Sequence, residues 1–237
     1  MKNWVWCLLV VAGLSFIASV VTAFPLRDPQ VPFRSHRLES WMQDLDPGIN
    51  VTTDQLNAQV WSAAGGALVI KLVVGGNIMR PDPVIGIYNS SEANPTLYPV
   101  FLSGVQERGW QALLLFRRYS VDVEVRDLRS DVQRRTTYYG VNSESFGFYY
   151  QIQFSTWFSQ DYRNPTPQAL SYASKSLPDN YWVCFESSPY DPSHTTPGDP
   201  DSFLGETNFD DTILNIEPAI PTPATGTTWG RVKGLYR

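Results

Sequence analysis

Acidic and amide side chains crowd a segment that lies between two apolar runs, 182–186 and 212–217. Carboxylates packed this closely repel one another unless they are solvated, protonated or bridged by a cation. Short Asp and Asn side chains offer the hard oxygen ligands that Ca²⁺ takes in proteins. The pattern therefore predicts a calcium site, with Glu186, Glu206, Asn208, Asp210 and Asp211 as the metal ligands.

The spacing of these residues limits how they can converge. Alternate residues of an extended segment point to one side, so Glu206, Asn208 and Asp210 share a side and Asp211 joins them only through a turn or bulge. Since Ca²⁺ takes about 6–8 oxygens, Glu186, backbone carbonyls and water must complete the site. The alternative is a solvated acidic loop in which Asp and Asn are chosen for turn formation.

Catalytic signatures are sparse in this chain. The two histidines are His36 and His194, and no Gly-x-Ser-x-Gly elbow surrounds any serine. A glycoside or ester hydrolase needs nucleophile, base and electrophile together, so hydrolysis is the less favoured function and we expect no enzyme. Cysteine and histidine lack the spacing of a zinc site. Cys184 lies in an apolar run, where we expect a buried thiol that packs as a small hydrophobe.

Aromatic residues suggest a second function, a carbohydrate-binding module. Such a module needs exposed rings on one sheet face, whereas a structural role buries them. Trp157 is the best candidate for an exposed ring, and Tyr149 and Tyr150 decide between the two readings. The aromatic set is Trp41, Trp61, Trp110, Trp157, Trp182, Trp229, Tyr138, Tyr139, Tyr149, Tyr150 and Tyr162.

The first 23 residues have the features of a secretory signal peptide. Lys2 precedes an apolar run, and Val-Thr-Ala before Phe24 resembles a cleavage site. The alternative is an uncleaved anchor, although the run is near the lower limit for crossing a bilayer. After cleavage, 24–237 would be secreted or held at the cell surface, with no membrane span. A net charge of −5 and Arg residues mixed with acids argue against a nucleic-acid partner.

Period-two apolar runs predict an all-β chain. Short strands separated by turn residues favour an antiparallel β-sandwich of jelly-roll type. We predict an N-terminal extension (24–58) with a short helix over 35–45, a sandwich domain (59–217), and a Pro-rich linker and tail (218–237). The tail carries Trp229 and several cations, so it is either a sorting or docking peptide or a segment without fixed structure. Strands are expected at 67–74, 84–88, 97–102, 110–116, 121–125, 146–154, 182–186 and 212–217, with a charged loop over 126–135.

Several of these segments, in order, resemble the domain of unknown function 4114 family of secreted bacterial surface proteins. They are 65–74, 85–88 (Ile-Gly-Ile-Tyr), 98–101 followed by Ser-Gly, 146–149 (Phe-Gly-Phe-Tyr), Phe158-Ser159 with Asn164-Pro165, Phe185-Glu186, and 206–211 (Glu-Thr-Asn-Phe-Asp-Asp). Two features depart from the family pattern. Ser187 stands where the family carries an aspartate, and the tail lacks the apolar span of the family's PEP-CTERM sorting signal. The resemblance implies a β-sandwich, extracellular placement and no known catalysis. For an exported module we expect extracellular matrix components, surface components or glycans as partners.

Overall fold

The structure is a computed structural model, and it describes residues 24–32, 36–63, 66–74, 83–102, 109–127, 133–152, 155–187 and 209–219. Within these ranges one α-helix and eleven strands form. The elements are α1 (His36–Leu45), β1 (Ala67–Val74), β2 (Val84–Asn89), β3 (Leu97–Phe101), β4 (Trp110–Arg117), β5 (Ser120–Asp127), β6 (Gln133–Tyr139), β7 (Phe146–Ile152), β8 (Ser155–Phe158), β9 (Ala169–Ala173), β10 (Tyr181–Phe185) and β11 (Thr212–Ala219).

The strands build two sheets, which confirms the predicted antiparallel β-sandwich with a short N-terminal helix. The larger sheet has the order β6-β5-β4-β1-β11-β10-β9, and the smaller has the order β3-β2-β7-β8. Every recorded pairing is antiparallel. The described residues contain no helix that is both long and apolar enough to cross a membrane.

The space between the sheets is filled by alternate residues of each strand. Leu68, Ile70 and Leu72 of β1 are buried there, because successive side chains of a strand point to opposite faces of the sheet. From the smaller sheet, Phe146 stacks on Phe116 of β4 with ring centroids 4.9 Å apart. Burial of these faces supplies most of the folding free energy, at about 25 cal/mol per Å² of apolar area.

Helix α1 covers part of the opposite face of the larger sheet and creates a second core. Leu38 and Met42 are fully buried against residues of β9, β10 and β11, while Trp41 and Leu45 are partly buried. These four residues are the apolar face expected from the sequence. The helix ends as predicted at Pro47-Gly48, where Gly48 has φ +105°, a conformation that favours glycine.

Three strands lie where no strand is predicted. β8 and β9 are short, and β6 begins at Gln133, inside the predicted charged loop. An edge strand rich in arginine lacks the apolar pattern from which a strand is recognised. Its side chains find partners only after folding: Arg135 pairs with Glu124 at 3.0 Å, and Arg134 donates to the Val100 carbonyl at 2.6 Å. β11 also continues to Ala219, two residues beyond the predicted strand end.

Asp46 anchors the helix to the turn between β9 and β10. Its buried carboxylate accepts hydrogen bonds from the Trp182 indole at 2.8 Å and from the backbone N–H groups of Lys175 and Ser176 at 3.1 and 3.0 Å. Burial alone would raise the pKa of Asp46. The hydrogen bonds from Ser174, Trp182, Ser176 and Lys175 outweigh burial and hold the pKa below its ordinary value.

We expect Asp46→Asn to lower the free energy of unfolding by about 1–3 kcal/mol at pH 7, because an amide cannot accept from all of these donors. A lowered folded-state pKa gives stability that is complete above the unfolded value, about 3.9, and that is lost as pH falls through the folded value. The difference in unfolding free energy between wild type and Asp46→Asn should therefore shrink below about pH 4. Urea unfolding at several pH values measures it, with the exposed Asp44→Asn as control. A gap that is constant with pH would contradict this role.

Candidate functional site

Three of the five predicted calcium ligands lie at one end of the β10–β11 pair. The ladder between these strands ends where Phe185 faces Thr212. Glu186 follows directly on one side, and Asp210 and Asp211 precede Thr212 on the other. The prediction that these two late strands pack as neighbours is therefore confirmed. We call Glu186, Asp210 and Asp211 the acidic end.

Two of these carboxylates bind backbone groups of the opposite chain segment. The Phe209 N–H donates to Glu186 Oε2 at 3.1 Å, and the Ser187 N–H donates to Asp211 Oδ2 at 2.6 Å. Each segment thus gives one donor and one carboxylate, in a reciprocal arrangement that we call the carboxylate clasp. It satisfies backbone groups that lie beyond the ladder, and hydrogen bonds to a charged acceptor are stronger than neutral ones.

The clasp also holds an unusual backbone conformation. Phe209 has φ +51°, the left-handed region that residues with a side chain rarely adopt. Its N–H binds Glu186 and its ring is fully buried in the second core. These two contacts offset the conformational cost and fix the direction in which the chain enters β11.

Asp210 forms an ion pair with helix α1. Arg37 Nε lies 3.2 Å from Asp210 Oδ2, and the Asp210 side chain is 4% exposed while that of Arg37 is 65% exposed. The two residues are far apart in the chain, so no local pattern marks Arg37 as part of this site. The pair ties the first turn of the helix to the acidic end.

Cys184, in β10, is a buried free thiol. Burial raises its pKa well above the ordinary value, and the charge of Asp210 adds to the shift. A thiol in this setting stays protonated at neutral pH and is a poor nucleophile. This environment agrees with the prediction that Cys184 is a buried thiol that packs as a small hydrophobe.

Only three of the five residues predicted to bind calcium lie within the described ranges. Glu206 and Asn208 lie outside the described ranges, and among the residues inside them no three His, Cys, Asp or Glu side chains are grouped to hold a metal. The donors that are present suit Ca²⁺ chemically, because all are hard carboxylate oxygens. The calcium site stays a prediction.

Three aromatic rings were expected to test the hypothesis of a carbohydrate-binding module, and they pack against other parts of the protein. Tyr149 and Tyr150 are buried, and the ring centroids of Tyr150 and Phe185 are 5.9 Å apart. Trp157, the expected exposed ring, is only partly exposed, and its indole N–H donates to the Ser187 carbonyl at 3.0 Å. No platform for a sugar forms from these three residues.

Several residues singled out in the sequence lie outside the part of the chain that the structure describes. They include His194 and the side chain of His36. Residues 1–23, most of the 218–237 linker and tail, and Trp229 lie outside them too.

Variants of the clasp should separate its hydrogen bonds from its charges. We expect Glu186→Ala to cost about 1–3 kcal/mol of unfolding free energy, because it removes the carboxylate that accepts from the buried Phe209 N–H. Glu186→Gln keeps an acceptor oxygen and should cost clearly less. The same order should hold for Asp211→Ala and Asp211→Asn. Chemical denaturation measures all four, and equal losses for Ala and amide variants would show that the bonds described do not stabilise the fold.

Comparisons of the chain with family models, with curated proteins and with solved structures return no match.

Proposed function

We propose that this chain is a non-enzymatic β-sandwich module, exported to the cell surface or the medium, whose acidic end takes up Ca²⁺. The observation that carries the proposal is the carboxylate clasp, which brings Glu186 and Asp211 to the two ends of segment 188–208. An ion at that place would join the two strands at the base of this segment. Export rests on the signal-like residues 1–23.

The crowding of carboxylates at the acidic end supports a cation. Glu186 and Asp210 are almost fully buried, and Asp211 is partly buried beside them. The pairing of β10 with β11 brings these three carboxylates to one end of two adjacent strands. A bridging cation stabilises carboxylates that lie close together. Ca²⁺ would supply that bridge, with Glu206 and Asn208 as further oxygen ligands.

The non-enzymatic assignment is supported by the structural roles of other carboxylates in the described residues. Asp46 holds helix α1 through three hydrogen bonds. Glu124 accepts from Arg126 at 2.6 Å and from Arg135 at 3.0 Å, which joins β5 to β6. Glu92 binds the Asn89 side chain and the Thr96 N–H within one turn, and these bonds lower its pKa. These carboxylates have structural partners, which is the pattern of a binding or scaffolding module.

Calcium should raise the melting temperature of the purified chain. Binding at 100 times the dissociation constant adds about 2.7 kcal/mol, which corresponds to roughly 5–10 °C for a domain of this size. Asp211→Asn should lose most of this response, because it keeps an acceptor for Ser187 and removes the charge. Glu144→Gln, at an exposed position of the β6–β7 loop, should respond as wild type does.

Mg²⁺ serves as the control for ionic strength. No shift at millimolar Ca²⁺, in a protein that is folded by circular dichroism, would reject the metal. An equal shift with Asp211→Asn would place any bound ion elsewhere.

A further inference from the structure

The most exposed aromatic rings of the described residues belong to three tyrosines. Tyr139 is 78% exposed, Tyr162 is 70% exposed and Tyr119 is 66% exposed. Large side chains at such exposure contribute nothing to the core, unlike Tyr149 and Tyr150. A single exposed ring is common on a protein surface, whereas several exposed rings grouped at one place mark an interaction site.

The three tyrosines lie at one end of the sandwich, opposite the acidic end. Ala67 of β1 faces both Ala219, the last residue of β11, and Leu115 of β4. Thr212, at the other end of β11, borders the acidic end. β4 ends at Arg117, two residues after Leu115, so the β4–β5 turn lies at the Ala219 end of β11. Tyr119 lies in that turn and Tyr139 ends β6.

Hydrogen bonds connect the three positions. Tyr139 faces Ser120 in the β5–β6 ladder, and the next residue, Gly140, donates its N–H to the Tyr119 carbonyl at 2.8 Å. The Gly140 carbonyl accepts from Asn89 Nδ2 at 2.8 Å. The residue after Asn89 is Ser90, and its carbonyl accepts from the Tyr162 hydroxyl at 3.3 Å. We call Tyr119, Tyr139 and Tyr162 the tyrosine end.

Arginines brace two of the rings. The Arg118 guanidinium lies 5.1 Å from the centroid of the Tyr119 ring, and that of Arg163 lies 4.9 Å from the Tyr162 ring. Cation–π contacts at this distance are attractive. Arg163 is itself fixed by the carbonyls of Ser90 and Glu92 at 2.8 and 2.6 Å. Rings that are ordered before binding lose less entropy when a ligand arrives.

A fixed polar group lies beside Tyr139 on the same face of the larger sheet. Thr137 precedes Tyr139 by two residues, so their side chains share a face. Thr137 Oγ1 donates to Asp122 Oδ1 at 2.8 Å, and Arg117 donates to Asp122 Oδ2 through Nε at 3.0 Å and Nη2 at 2.7 Å. This ordered set of donors and acceptors lies on the same sheet face as the exposed Tyr139 ring.

We infer that the tyrosine end binds a polysaccharide of pyranose sugars. Such sugars carry C–H groups on one ring face, which pack on an aromatic ring, and hydroxyls at the rim, which need hydrogen-bond partners. Separate exposed rings beside ordered polar groups match both needs. The core of a protein–protein interface would instead need a continuous apolar patch. This inference goes beyond the proposed function and does not depend on calcium, since the two sites lie at opposite ends.

Affinity electrophoresis in native gels tests the site. The probes are hydroxyethylcellulose, laminarin, xylan and polygalacturonate, each cast into the gel at several concentrations. We expect at least one probe to retard the full chain. Tyr119→Ala and Tyr139→Ala should each weaken the association with that probe roughly five- to tenfold. Tyr139→Phe keeps the ring and should bind as wild type does.

Leu177→Ala is the control, because Leu177 is exposed and lies in the β9–β10 turn, at the far edge of the larger sheet. All variants change exposed residues, so unchanged melting temperatures verify that they fold. The inference is overturned if none of the four polysaccharides retards wild type, and equally if both alanine variants bind as tightly as wild type.

Discussion

Strands β10 and β11 pair antiparallel from Tyr181 opposite Ile216 to Phe185 opposite Thr212, and both cores of the molecule meet on this pair. On one face, Val183 and Leu214 belong to the core between the sheets. On the other face, Cys184 and Ile213 belong to the core beneath helix α1. A slip by one residue would exchange the two faces. The register of this pair therefore fixes what each core contains, and the clasp beyond the ladder holds that register.

The sandwich separates two chemistries by placing them at opposite ends. At the acidic end, carboxylates from neighbouring strands brace the chain before and after segment 188–208. At the tyrosine end, turns and strand ends hold three rings in solvent. Strands of eight residues, such as β1 and β4, span about 27 Å at 3.3–3.4 Å per residue. A Ca²⁺ ion at the acidic end is too far from the tyrosine end to contact it, so ion binding at one end does not require the other.

Residues with local patterns could be predicted from the sequence, and those with distant partners could not. β1 was predicted with the bounds observed, because an apolar run between turn residues specifies a buried strand. The apolar face of α1 was predicted from its spacing alone. Strand β6 could not be predicted, because its arginines pair with Glu124 and with a carbonyl of β3 only in the folded sheet.

The candidate site divides in the same way. The acidic residues stand out in the sequence, and the structure brings three of them to one end of adjacent strands. Their partners Arg37, Ser187 and Phe209 could not be predicted, because two of them act through backbone N–H groups and the third comes from a distant helix. Tyr119 carries no signal beyond its place in a turn. Its exposure depends on the turn being at the end of the sandwich.

Amide hydrogen exchange at Ser187 and Phe209 tests the central claim most directly. If the clasp joins the two strands beyond their ladder, both amides should exchange as slowly as the ladder amides of β10 and β11, since each is bound to a carboxylate. Exchange at the rate of an open loop, with the ladder amides still protected, would show that the acidic end is not closed by Glu186 and Asp211 and would contradict the account.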